Sequence, residues 1–365
     1  PVVRTTTHAY AILGTRATTR LPNGLEFGQL TYGSGHVHQL RIADRILAEI
    51  EHDALYRPKS LRLGGYNGLL QSLAFDALGA LTASRLATPG GAPLAEARYA
   101  YDALGRLVAR EGTAPRRYTY DALDRLIGEE GTLSGAHGTQ PHAHRAEYRF
   151  DPAGNRLSVA AALTGAEAED WAATVRANLD NPAFNLLGPR PGPARGAEAT
   201  PCPDNRLHTL DGTHYRYDEW GNLVERTDPD GARTRLGYDA EHRLVALARY
   251  HGDTLAHQAS YSFDAFGRRR SKVLWLPSAE GTLNVRQFTR YDWDDDRLVG
   301  EHVATLSPEA NEWHATEKVF AYHPNTFTPL AQITCQPHAN GKASIRRIEW
   351  YHTDQIGTPL ALVDA

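Results

Sequence analysis

A tyrosine or phenylalanine followed directly by aspartate recurs eight times along this chain. The pairs are Phe75-Asp76, Tyr101-Asp102, Tyr120-Asp121, Phe150-Asp151, Tyr217-Asp218, Tyr238-Asp239, Phe263-Asp264 and Tyr291-Asp292. Repetition of a short unit makes a scaffold or a surface before it makes a catalyst. Successive copies lie 26, 19, 30, 67, 21, 25 and 28 residues apart. Such uneven spacing suits hairpins with loops of varying length. It argues against a solenoid with one fixed rung and against a propeller with equal blades.

Each unit reads as a strand, a turn and the start of the next strand. Aromatics alternate ahead of the aspartate, as in Tyr99/Tyr101, Tyr118/Tyr120, Tyr148/Phe150, Tyr215/Tyr217 and Tyr261/Phe263. Residues two apart in a strand share a face, so each pair lays two rings on one side of a sheet. The aspartate opens the turn, because its carboxylate can accept a hydrogen bond from the N–H two residues on. Four residues past the aromatic stands Gly79, Gly105, Gly154, Gly221 or Gly267, where positive φ is cheapest. Asp124 and His242 stand there in two copies; both residue types visit the left-handed region more readily than most. A basic or amide residue and a leucine usually follow, and the leucine is expected to return to the buried side.

These units, clearest in Tyr101-Asp102-Ala103-Leu104-Gly105-Arg106-Leu107, resemble the YD repeats of Rhs (rearrangement hot spot) proteins. Two flanking stretches resemble segments of the same bacterial cores: Leu21-Pro22-Asn23-Gly24 through Tyr32-Gly33-Ser34-Gly35-His36, and Trp350-Tyr351-His352-Thr353-Asp354-Gln355-Ile356-Gly357-Thr358-Pro359-Leu360. The resemblance covers nearly the whole chain. It implies an all-β fold, a spirally wound antiparallel sheet of YD-repeat hairpins forming part of a hollow, cocoon-like shell. Closing such a sheet removes edges that would otherwise pair with other chains.

Three regions are expected: a first part of the shell at 1–159, an insert at 160–203, and a second part at 204–365. The insert accounts for the 67-residue gap. Ala-rich sequence from Leu163 to Leu179 reads as a short helix with Thr164 as N-cap, and Gly188-Pro189-Arg190-Pro191-Gly192-Pro193 breaks regular structure after it. The stretch Leu40 to Leu55 carries apolar residues at helical spacing, yet it is expected as strand, with His52-Asp53 as a degenerate repeat.

The net charge is −4 with both signs interspersed, so nothing recommends nucleic acid or an anionic membrane as partner. No apolar run approaches the 18 or so residues of a spanning helix. Cys202 and Cys335 are the two cysteines, far apart and without a CxxC, which points to folding where thiols stay reduced. The chain starts at Pro1 and contains no methionine, as expected of a fragment or of a proteolytically matured product.

No catalytic residue, metal site or cofactor is expected. His36/His38 and His142/His144 lack a cysteine or carboxylate at zinc spacing. Asp292-Trp293-Asp294-Asp295-Asp296 lacks the glycine and glutamate of a calcium loop and reads as the solvated turn of a repeat. Gly33-Ser34-Gly35 is not a nucleophile elbow. Asp151-Pro152-Ala153-Gly154 and Asp228-Pro229-Asp230-Gly231 echo the Rhs self-cleavage motif but fall within ordinary repeat turns.

By resemblance, the function is that of a non-catalytic shell segment enclosing a C-terminal toxin delivered through type VI secretion. The implied partners are the remaining shell, the toxin with its immunity protein, and a secretion spike with its adaptor. The implied location is the bacterial cytoplasm, then export into a target cell. The alternatives are an adhesion or carbohydrate-binding shell, using Trp171, Trp220, Trp293 or Trp313, and a hydrolase built on Asp/His pairs.

Overall fold

The computed structural model describes residues 4–12, 14–133, 142–150, 154, 156–157, 206–278, 281–307, 311–338 and 340–364. Among them are twenty-eight strands and no helix. Thirteen strands form one sheet, from Thr7–Tyr10 to His142–Glu147, and thirteen form another, from Thr209–Leu210 to Pro359–Val363. Arg149–Phe150 and Arg156–Leu157 make a separate two-stranded hairpin. In both large sheets each strand lies beside its neighbours in sequence, so each sheet is an antiparallel meander. The expected all-β class stands. The insert at 160–203 and both of its boundaries lie outside the described residues.

The stretch from Leu40 to Leu55 is strand. Val37–Ile42 and Arg45–His52 pair antiparallel, with Ile42 opposite Arg45. Ala43 makes the reversal at φ 50°. The apparent helical spacing of Ile42, Ile46, Leu47 and Ile50 comes from two strands meeting at a tight turn.

The chain divides into two compact units. The first comprises residues 1–100, 111–113 and 259–365. Its core brings Leu40, Ile42, Leu47, Ile50, Leu61 and Leu63 against Val319, Leu330, Ile333 and Trp350. Each fully buried side chain of this kind contributes about 1.5–3 kcal/mol. Two hydrogen bonds tie the N-terminal strands to the C-terminal ones: the Trp350 indole N–H donates to Leu47 O at 3.0 Å, and Ala343 N–H donates to Asn23 O at 3.0 Å. Cys335 sits in this core, where burial pushes its thiol up to about 12.

The second unit comprises residues 101–110 and 114–258. Its buried residues, among the described ones, are Arg110, Thr213 and Ala232, and of these only Ala232 is fully enclosed. With so little apolar interior, its hairpins depend on the contacts that each repeat makes with the next.

Candidate functional site: the repeat turn and a buried clasp

The turn is built from one carboxylate. Asp102 N–H donates to Arg106 O, and Gly105 N–H donates back to Asp102 O, both at 3.0 Å. Asp102 Oδ1 accepts from the N–H groups of Leu104 and Arg106 at 3.0 and 2.9 Å, while Oδ2 accepts from Arg106 Nε at 2.7 Å. The same pattern recurs at Asp121, Asp239 and Asp264, with Arg125, Arg243 and Arg268. At Asp218 the Asn222 amide replaces the guanidinium. Desolvation in the turn pushes the Asp102 carboxyl up; the hydrogen bonds from Arg106 and Leu104 outweigh it, and the pKa sits below the usual aspartate value. At Asp124 and His242, which stand in the glycine position, φ is 60°.

Asp76 makes the backbone part of the pattern, to Leu78 and Ala80. Gly154 has φ 88°; Asp151 lies outside the described residues. Two further turns have the same construction without an aromatic–aspartate pair. Asp53 follows His52 and binds Leu55 N–H, Arg57 N–H and Arg57 Nε. Asp354 follows Thr353 and binds the N–H groups of Ile356 and Thr358.

The basic residue after the turn joins one repeat to the next, a role its recurrence in the sequence hinted at but did not specify. Arg106 Cζ lies 4.9 Å over the Tyr120 ring, and its guanidinium also reaches Asp121 O. Tyr120 O–H donates to Leu107 O at 2.9 Å. Arg57 over Phe75 and Arg125 over Phe150 repeat the stacking, while Tyr217 to Leu207 O and Tyr238 to Leu223 O repeat the hydroxyl bond. These five aromatics are thus held by the preceding unit, and their rings are half-buried rather than enclosed.

Tyr291-Asp292 departs from the expected pattern. Both residues lie inside the strand Leu283–Asp294, and the chain reverses beyond them, with Asp294 opposite Arg297 and Asp295 at φ 50°. The phase of the repeat has moved by two residues. Trp293 takes the aromatic place, its indole N–H donating 2.9 Å to Arg269 O, as Tyr120 donates to Leu107 O. Asp292 is therefore neither a turn residue nor a solvated one.

Asp292 belongs to a clasp within the first unit. Arg4 binds it through two nitrogens, at 3.1 and 2.8 Å. His302 Nε2 lies 2.6 Å from Asp292 Oδ2, and His302 Nδ1 lies 3.2 Å from Glu317 Oε1. Asn23 Nδ2 donates 2.6 Å to the same Glu317 oxygen, and the Glu317 side chain is 4% exposed. Two residues on, Asp294 binds Arg16 at 2.6 Å and approaches His8 at 3.4 Å.

Burial pushes the His302 imidazole down, but hydrogen bonds to Asp292 and Glu317 outweigh it and raise the pKa above the usual value. Burial pushes Asp292 up, and His302 and Arg4 bring it below the usual value. Charging His302 offsets two carboxylates that would otherwise be buried side by side. His302 Nε2 also lies 2.9 Å from an Arg4 guanidinium nitrogen, so imidazole and guanidinium together balance the two carboxylates.

The remaining candidates are dispersed. His36 stacks on Tyr56 with ring centroids 4.1 Å apart, and His38 stacks on Tyr32 at 4.5 Å. Among the described residues no three His, Cys, Asp or Glu side chains gather as metal ligands. Asp228 to Gly231 form a turn closed by Gly231 N–H to Asp228 O. Trp220 is 71% exposed and Trp313 is 50% exposed; Trp171 lies outside the described residues. No helix among the described residues is long and apolar enough to cross a membrane.

A family model for the RHS repeat matches residues 101–137 and 217–254, which include the turns at Asp102, Asp121, Asp218 and Asp239. The toxin protein Tse5 of Pseudomonas aeruginosa is 32% identical over 387 residues, covering 98% of this chain and 27% of that protein. Double-stranded DNA deaminase toxin A of Burkholderia cenocepacia is 26% identical over 359 residues, covering 94% of this chain and 21% of that protein. The chain thus spans about a quarter of the length of these relatives. A crystal structure of TcdB2–TccC3 without its hypervariable C-terminal region matches with a TM-score of 0.65 at 13% identity, covering 100% of this chain and 17% of that one. The structure of TcdB2–TccC3–Cdc42 matches with a TM-score of 0.61 at 14% identity, with the same coverages. Repeat turns, family model and relatives agree: the chain belongs to the Rhs family of YD-repeat polymorphic toxins.

Proposed function

We propose that this chain is a wall segment of a toxin shell, without catalytic activity of its own, and that the wall keeps a C-terminal toxin domain sequestered until delivery. The observation that carries this reading is the cross-linked meander. Thirteen strands twice over pair with their neighbours in sequence, and several repeats grip the next through a stacked arginine, a tyrosine hydroxyl or, at Arg106 and Tyr120, both. A sheet coupled in this way resists local opening, which a container needs and a binding module does not. The names of the relatives, both toxins, support a toxic cargo.

In this reading residues 1–159 and 204–365 are two lengths of one wall, and 160–203 is an insert. The repeat aromatics, aspartates and glycines are structural. The partners are the remaining shell, the toxin and its immunity protein, and a type VI spike with its adaptor. The protein is held in the bacterial cytoplasm before export.

The test uses the full-length parent protein and limited proteolysis. The C-terminal domain should stay intact while the shell is folded, and become cleavable in an Ile333→Asp variant, which charges the core of the wall. Equal cleavage rates in both proteins would remove the containment reading.

Trp220 and Trp313 favour a second reading, in which exposed aromatics bind carbohydrate. Glycan binding by this chain that Trp220→Ala or Trp313→Ala abolishes would support it. Unchanged binding in both variants would exclude it.

A further inference from the structure

Between the N-terminal and C-terminal strands of the first unit lies a cavity of about 400 Å³. Its deep wall is apolar, with Leu21, Val37, Leu40, Leu47 and Val299, all members of the core. The space is open at its mouth, and its volume is within the range of clefts that hold small groups against an apolar wall.

The lip of the cavity has the opposite character. The hairpin tip Asp294-Asp295-Asp296 lines it. Arg16 is engaged with Asp294 at 2.6 Å and stands 3.7 Å from Asp295, whose side chain is 88% exposed. Arg297 is stacked over Phe327, 5.6 Å from the ring centroid. Asp296 has no ion pair among the described residues. His323 also lines the cavity, with no hydrogen bond to its imidazole among the described residues. Burial pushes this imidazole down to about 4, so at neutral pH it is uncharged and does not balance the acidic lip.

An occupant must therefore carry an apolar group deep in the pocket and positive charge at the rim, on separate branches. Adjacent side chains of a polypeptide meet that requirement. We infer that the cavity accepts a polypeptide segment with an aromatic or long aliphatic anchor flanked by lysine or arginine. The anchor fills the space beside Leu40 and Val299, and the flanking cation meets Asp295 and Asp296. His323 is placed to exchange a hydrogen bond with the segment's backbone. This goes beyond the containment reading and does not depend on it, since the cavity lies within the first unit whatever the shell encloses.

The test titrates the 365-residue chain calorimetrically with acetyl-Lys-Phe-Lys-amide. Acetyl-Lys-Ala-Lys-amide, acetyl-Glu-Phe-Glu-amide and benzylammonium are the comparison probes. Lys-Phe-Lys should bind at least tenfold more tightly than all three. Charge reversal in the double variant Asp295→Lys/Asp296→Lys should weaken it at least tenfold. Thr15→Trp, which fills the mouth from a half-buried position outside the apolar core, should weaken it similarly while the far-ultraviolet circular dichroism stays native. The inference is overturned by no binding at millimolar peptide, by equal binding of the alanine or glutamate peptide, or by unchanged affinity in Thr15→Trp. Benzylammonium binding as tightly as the peptide would also overturn it, because the site would then be one for small cations.

Discussion

The guanidinium of Arg106 lies over the ring of Tyr120, one repeat further along the chain, with 4.9 Å from Cζ to the ring centroid. The same arginine closes its own turn through Asp102. One side chain therefore sets the local reversal and fixes the spacing to the next hairpin. That double duty explains how a unit with few fully buried side chains stays ordered.

If so, the two halves of this contact are coupled. Tyr120→Phe should cost about 0.5–1.5 kcal/mol through loss of the bond to Leu107 O. Arg106→Ala should lower the melting temperature further, and Arg106→Lys should not restore it, because an ammonium cannot both stack and bind the carboxylate edge-on. Combined in a double-mutant cycle, the two changes should be less than additive. Strict additivity in urea unfolding would mean that the repeats are held independently.

Two glycines should differ although both have positive φ. A Cβ at Gly105, φ 79°, meets nothing within 4 Å, so Gly105→Ala carries backbone strain alone, about 1–2 kcal/mol. A Cβ at Gly112, φ 99°, would stand 2.3 Å from Glu96 O, so Gly112→Ala must also displace the neighbouring strand. Chemical denaturation should rank Gly112→Ala well below Gly105→Ala in stability. The reverse order would contradict the strand register.

The clasp makes stability depend on pH at both ends. His302 has a folded pKa above its unfolded value near 6.5, so its contribution is full below that value and is lost as pH rises through the folded one. Asp292 is shifted the other way, so its contribution is present above the unfolded aspartate value and is lost as pH falls through the folded one. His302→Ala leaves Asp292 and Glu317 buried together and should cost about 3 kcal/mol near neutral pH. It should also flatten the decline in stability as pH rises above about 6.5. An unaltered pH profile in this variant, followed by urea unfolding, would show that another group carries the dependence.

Trp350→Ala should be the more severe core change. It removes a buried ring and the bond to Leu47 O, and a cost of about 3–5 kcal/mol is expected. Trp350→Phe keeps most of the apolar volume but leaves the Leu47 carbonyl without its indole donor. It should fall in between.

The strands and most of the turns were legible in the sequence because their causes are local. Alternating aromatics select a pleated face, an aspartate side chain reaches backbone only a few residues on, and a glycine or its left-handed substitute completes the reversal. Even so, the turn at Asp354 escaped the aromatic–aspartate pattern, because the turn needs the carboxylate and not the ring. Asp292 was misassigned for the complementary reason. Its neighbours in sequence match a repeat, yet its partners are Arg4, 288 residues away, and His302 on the adjoining strand. Whether a carboxylate closes a turn or anchors a buried clasp depends on which distant strand is packed against it. That is a non-local choice, made only when the chain folds.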